Sequence, residues 1–155
     1  MSNWTEWLGI ESIHDKAIRN NYRWPGVYKI RLVDSERNPI KIGRFLTCDN
    51  DGIIAIGHSK SVDQRIKQFL SAIHGKEFKH SVANRLFLII YISNIGEHSS
   101  TGNSKIEFAA LRLKDKSEAK WEEERLLKTC FKEFGELPPL NGALPNNHDF
   151  DWKTL

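Results

Sequence analysis

The stretch "IIAIGHSKSVDQRI", residues 53 to 66, constrains the chain more than any other. Four apolar residues run into Gly57, and a polar turn then leads into an arginine at position 65. A short apolar run of this kind bounded by a glycine turn reads as a buried strand. Residues 62–73, just after the turn, read as a helix: Ser61 and Gln64 have capping-box spacing, and Val62, Ile66, Phe69, Leu70 and Ile73 form one apolar stripe. A strand that empties into a polar turn and then a helix presents backbone N–H groups, and here Arg65, at one place. Such an end favours an anion.

Upstream, "WPGVYKIRLVD" begins a strand after a Pro-Gly break, with Tyr28, Ile30 and Leu32 on one face and Lys29 and Arg31 on the other. "IKIGRFL" reads as a second strand between two turns, which makes "IIAIG" the third strand of an antiparallel meander. Residues 3–21 read as a helix or two, with Trp4, Trp7, Leu8, Ile13, Ala17 and Ile18 inward. "NRLFLIIYIS" (84–93) is the most apolar run and is predicted as a central strand, "GEHSSTGNS" as a mobile loop, and "IEFAALRL" as a helix. A long amphipathic helix is predicted from Ser117 to Phe134, ending at Gly135 with Pro138 and Pro139 beyond. The expected class is α+β: a small sheet of three or slightly more mainly antiparallel strands flanked by helices.

Composition narrows the function classes only modestly. The 155 residues suit one domain, and a net charge of +3 permits a nucleic-acid partner without arguing for one. Cys48 and Cys130, 82 positions apart, form neither a zinc motif nor a disulfide framework, and suit a reducing, cytoplasmic compartment. No apolar run reaches the roughly 20 residues that span a bilayer, and the first ten residues are not a secretory signal, so no membrane partner is expected.

Two polar residues stand in telling places. On a 100° wheel, Ala119, Leu126, Leu127, Cys130, Phe131 and Phe134 define the apolar face of the last helix, and Glu123 falls at its centre. A carboxylate facing a core needs a cation, a metal or hydrogen-bond donors. Arg65 borders the apolar stripe of its helix, where a guanidinium either covers apolar surface with its stem or holds a phosphate. One arginine and one inward carboxylate could together serve a phosphodiester, which needs a cation on the scissile phosphate and a metal to polarise oxygen.

These residues lie in a wider pattern. "GVY" at Gly26–Val27–Tyr28, then "AIGHSKSVDQR" with Ser59 two residues and Arg65 eight residues after Gly57, resembles the GIY-YIG nuclease domain. "EERLLK" is similar to that family's Glu-x-x-x-Ile-Lys helix, which makes Glu123 the metal-binding glutamate. "PPLN" resembles its closing Pro-x-Leu-Asn, with Asn141 as the structural asparagine, and "HSVANRL" places His80 where homing-endonuclease members carry an active-site histidine. The resemblance spans about residues 25–142, with 1–24 as an N-terminal helical extension and 143–155 as a tail.

The resemblance implies Mg²⁺- or Mn²⁺-dependent hydrolysis of DNA phosphodiesters. In it Arg65 stabilises transition-state charge, Glu123 holds the metal, and Tyr28 with His58 or His80 handles the attacking water. Gly26, Gly57, Ser59 and Asn141 support the site, and Lys29, Lys60, Lys67 and Lys79 contact backbone phosphates. The chain departs from the family in two places: Ala55 replaces the second motif tyrosine, and Phe69 stands where tyrosine or histidine is common. These departures raise two rival expectations, a nucleic-acid-binding module with impaired chemistry and a protein-docking domain using the tryptophan-rich N-terminus. Specificity is expected from the excursion at 39–52, the N-terminal helix, a protein partner, or a second copy of the chain in a homodimer.

Overall fold

The computed structural model describes residues 3–77, 79–91 and 105–142. The elements run β1 (Leu8–Gly9), α1 (Ile10–Ile13), α2 (Lys16–Asn20), β2 (Gly26–Val33), β3 (Ile42–Gly43), β4 (Cys48–Asp49), β5 (Ile53–Ser59), α3 (Val62–Ile73), α4 (Ser81–Tyr91), β6 (Lys105–Arg112) and α5 (Lys116–Phe134). The class is α+β, as expected. A four-stranded antiparallel sheet has the order β1-β6-β2-β5, and β3 and β4 form a separate two-stranded hairpin. Among the described residues no helix is long and apolar enough to cross a membrane.

Three expectations are corrected. The run at 84–93 is not a central strand, because residues 81–91 are helix α4. Its apolar run is too short for periodicity to separate a strand from a buried helix. The local start signal lies outside the run, where the His80 imidazole accepts a hydrogen bond from the Ala83 N–H at 3.4 Å. Conversely, "IEFAALRL" is strand and not helix. β6 pairs with β2 along its whole length, and Phe108 to Leu111 are buried. Its alanines, fully or almost fully buried, leave room for cover on both faces. Third, the meander fails in the middle. β2 pairs directly with β5, while "IKIGRFL" contributes only two residues to the outlying hairpin.

The N-terminal segment is less helical than expected. Trp4 bridges Leu111 and β1 extends the sheet beside β6, while Ala17, expected inward, is exposed. The predicted loop at 96–104 and the tail 143–155 lie outside the described residues, as do residues 92 and 93 of the apolar run.

The sheet separates two apolar clusters. On one face Tyr28, Ile30, Ala55, Phe108 and Ala110 pack against α3 and α4 through Ile66, Phe69, Leu70, Val82 and Leu86. On the other, Val27, Ile53, Ile56 and Leu111 pack against Leu127 of α5. β5 is an edge strand, so its C-terminal end can be reached from both faces. α5 starts at Asp115, whose carboxylate accepts the Glu118 N–H, and stops at Gly135 with φ 74°. The β3–β4 hairpin docks there: the Leu46 N–H donates to the Phe134 carbonyl, and the buried Arg44 guanidinium lies over the Phe134 ring. A cation at a helix C-terminus is electrostatically favoured.

Candidate active site

The end of β5 and the first turn of α3 fold as the sequence suggested, with a different capping scheme. Ser61 occupies the N-cap without a side-chain cap. Ser59 instead ties the turn, its hydroxyl donating to the Ser61 carbonyl at 2.7 Å and accepting the Ser61 N–H at 3.1 Å. The Val62 and Asp63 N–H groups donate to the carbonyls of Trp24 and Tyr22. Those backbone groups are therefore spent on the N-terminal segment, and the anion-binding character expected of this helix end falls to the Arg65 side chain.

Tyr28 and Gly57 are cross-strand partners. A Cβ at Gly57 would overlap the Tyr28 ring and hydroxyl, so the glycine is what lets the tyrosine lie across the edge strand. Gly26 opens β2 under a similar constraint, because a side chain there would overlap the Leu111 carbonyl and the Trp24 ring. The next residue of β5, His58, pairs with Val27 and faces the opposite side, toward α5. There its Nδ1 lies 2.7 Å from Glu123 Oε2, with the Glu123 side chain 13% exposed.

The edge itself is held by Asn141. Its side-chain oxygen accepts the Ile56 N–H at 2.9 Å and its Nδ2 donates to the Ile56 carbonyl at 2.8 Å. The Leu140 N–H donates to the Ile54 carbonyl. The amide thus does for one residue what a neighbouring strand would do.

These groups surround one open cavity of about 440 Å³, lined by Tyr28, Gly57, His58, Arg65, Glu123 and Asn141, among others. The structure therefore brings together six of the residues singled out from sequence. Arg65 is anchored on three sides, donating from Nε to Tyr28 Oη (3.4 Å) and from Nη1 to Gln68 Oε1 (2.9 Å) and the Lys79 carbonyl (3.3 Å).

His80 is placed differently from a water-activating base. It is fully buried, stacked edge-on against Phe69, with Nε2 at 3.2 Å from the Tyr28 hydroxyl. Burial, with the nearby Arg65 charge, pushes its pKa down to about 3. The Ala83 N–H can only donate, so Nδ1 accepts and Nε2 carries the proton of the neutral ring. The Tyr28 oxygen then accepts from His80 and from Arg65, which leaves its own proton to point elsewhere. Burial raises the Tyr28 pKa, with Arg65 opposing the rise, so the group is a phenol and a hydrogen-bond donor at neutral pH.

The lysines expected at phosphates are not gathered at the cavity. Lys29 lies over the Trp4 ring at 4.6 Å and lines a separate cleft with Trp7 and Asp51. Lys60 and Lys67 are exposed, and Lys79 pairs with Glu77 at 3.2 Å. Ala55 is fully buried in the core on the α3 side, so its position adds no polar group.

Compared with known proteins, the chain matches no family model, no curated protein and no solved structure. What can be said of the site rests on its own geometry. Sequence reasoning missed Ser81, Val82 and Arg85, which line the cavity from the first turns of α4. The signal was in "HSVANRL", but reading the adjoining run as a strand hid it. Glu122, the neighbour of Glu123 on α5, is 8% exposed and accepts from Arg125 through both oxygens, at 2.8 and 2.6 Å.

A bound Mg²⁺ is compatible with this donor set. Among the described residues no three His, Cys, Asp or Glu side chains gather into a cage. Mg²⁺ commonly uses one or two carboxylates and fills its other positions with water and phosphate oxygens. Glu123 supplies such a carboxylate at a cavity wall, and its bond with His58 takes Oε2.

Proposed function

We propose that the chain is a metal-dependent endonuclease of the GIY-YIG type that hydrolyses DNA phosphodiester bonds. The observation that carries this reading is the meeting of Arg65 and Glu123 in one solvent-reachable cavity, from two helices on opposite faces of the sheet. Binding alone does not require a carboxylate there.

The Arg65 guanidinium, held rigid by its three bonds, is placed to receive charge developing on a phosphoryl oxygen. Glu123 would hold Mg²⁺ or Mn²⁺, which supplies charge neutralisation at the phosphate and acidifies a bound water. His58 donates from Nδ1 to the carboxylate, so its Nε2 carries the lone pair that would take a proton from an attacking water in the cavity. Tyr28 donates its phenolic hydrogen bond into the site. His80 sets that direction and takes no proton itself.

The rival binding-module reading draws on Ala55 and Phe69, both apolar and both buried in the core. A plasmid-nicking assay with Mg²⁺ or Mn²⁺ separates the two. Nicking by the wild type, reduced about a hundredfold or more in both Arg65→Ala and Glu123→Ala, supports the nuclease. Salt-sensitive DNA binding with no cleavage points to the module, and neither activity removes nucleic acid from the account.

A further inference from the structure

Nine arginines lie among the described residues. Six of them stand within 4.0 Å of a carboxylate: Arg19 and Arg23 with Asp63, Arg31 and Arg37 with Glu107, Arg44 with Glu136, and Arg125 with Glu122. Arg65, Arg85 and Arg112 have no such partner among the described residues. Arg112 ends β6, is exposed and does not line the cavity. The other two line the same cavity. Among the described residues the fold pairs six of its nine arginines with carboxylates, and two of the remaining three stand in one cavity without a salt bridge.

Arg85 is also held in position. Its Nη1 donates to the Leu140 carbonyl at 2.9 Å, and its guanidinium lies so close over Gly142 that any Cβ there would overlap it. The group is therefore anchored through one nitrogen, as Arg65 is anchored by its own neighbours. Two pre-positioned cations repel each other until anions separate them, and the N–H groups outside these contacts, those of Nη2 at Arg65 and of Nε and Nη2 at Arg85, suit phosphate oxygens. Ser81 and Val82, the first residues of α4, line the wall beside Arg85. The positive end of that helix dipole adds to the same preference.

Resting on the nuclease reading, we infer that Arg85 forms a second phosphate subsite next to the one centred on Arg65. The substrate is then a polynucleotide gripped at two neighbouring phosphates, the reacting one at Arg65 and a flanking one at Arg85. An isolated phosphodiester fills only the first.

The test uses the full chain with Arg85→Gln, whose amide can still donate to the Leu140 carbonyl, and Arg85→Lys, which keeps the charge. Two substrates are compared: a duplex oligonucleotide, and bis(4-nitrophenyl) phosphate, which carries a single phosphate. Arg85→Gln is expected to lose about tenfold more activity on the duplex than on the small diester. In binding titrations it lowers the slope of log K against log salt by about 0.9, the loss of one phosphate contact, and Arg85→Lys restores that slope. Equal losses on both substrates, an unchanged salt slope, or failure of Arg85→Lys to restore it would overturn the subsite. If the wild type cleaves neither substrate, the nuclease reading fails, and the salt slope alone decides on Arg85.

Discussion

Two inward carboxylates, Glu107 and Glu123, lie in different regions of the molecule and differ in how their charge is met. Glu107, on β6, is 1% exposed and receives Arg31 through Nε and Nη2 at 3.0 and 2.8 Å and Arg37 through Nε at 2.6 Å. Arg31 in turn lies 4.1 Å from the Trp7 ring centroid, and Arg37 donates to the Trp7 carbonyl. Every charge in that cluster is answered inside the fold. Glu123 meets one imidazole and opens on a cavity that is also lined by two arginines that pair with no carboxylate among the described residues. Buried charge by itself therefore does not mark a site. Charge left without an internal answer beside open space does.

The largest effect that can break this comparison is on stability. Glu107→Ala leaves the largely buried Arg31, whose side chain is 15% exposed, without its carboxylate and should cost about 3 kcal/mol, whereas Glu123→Ala should change folding stability by no more than about 1 kcal/mol. Urea unfolding of both variants measures the contrast, and equal costs would erase it.

A smaller effect sharpens the contrast through pH. His80 has a folded pKa of about 3, below the usual 6.5, so between those values the unfolded chain binds a proton that the folded chain refuses. Its contribution is fully present above pH 6.5 and declines as pH falls toward 3. From pH 6.5 to 5 it should remove about 2 kcal/mol. His80→Asn should flatten that segment of the stability profile, and an unchanged slope would assign the acid sensitivity elsewhere.

The smallest effect concerns the frame of the site. Asn141→Ala leaves the Ile56 N–H and carbonyl unmet at the sheet edge, a loss of roughly 1–2 kcal/mol. Asn141→Asp can replace the accepted bond but not the donated one, so thermal melts should rank it between wild type and alanine.

Legibility from sequence tracked how local each cause was. β2, β5, α3 and α5 were readable because alternation, a helical stripe and a glycine stop all act within a few residues. α4 and β6 were exchanged because their identity depends on partners far along the chain. β6 is a strand because β2 offers it a full-length edge, and Glu107 can be buried there because Arg31 and Arg37 arrive from elsewhere. The inward position of Glu123 was visible on the wheel, but its histidine partner was not, because that contact joins residues 65 apart. Arg85 was lost together with its helix. The capping box misled because Ser61 had the spacing, while the backbone of residues 22–24 supplied the acceptors.

The clamp of Asn141 and Leu140 on β5 has a consequence beyond bracing. It covers the rim where another strand would dock, at Ile54 and Ile56, and the opposite rim ends in the two residues of β1. Neither border offers a long ladder of vacant amides and carbonyls to a visiting chain. Among the described residues, the borders of the four-stranded sheet therefore disfavour a continuous intermolecular sheet between copies of this protein.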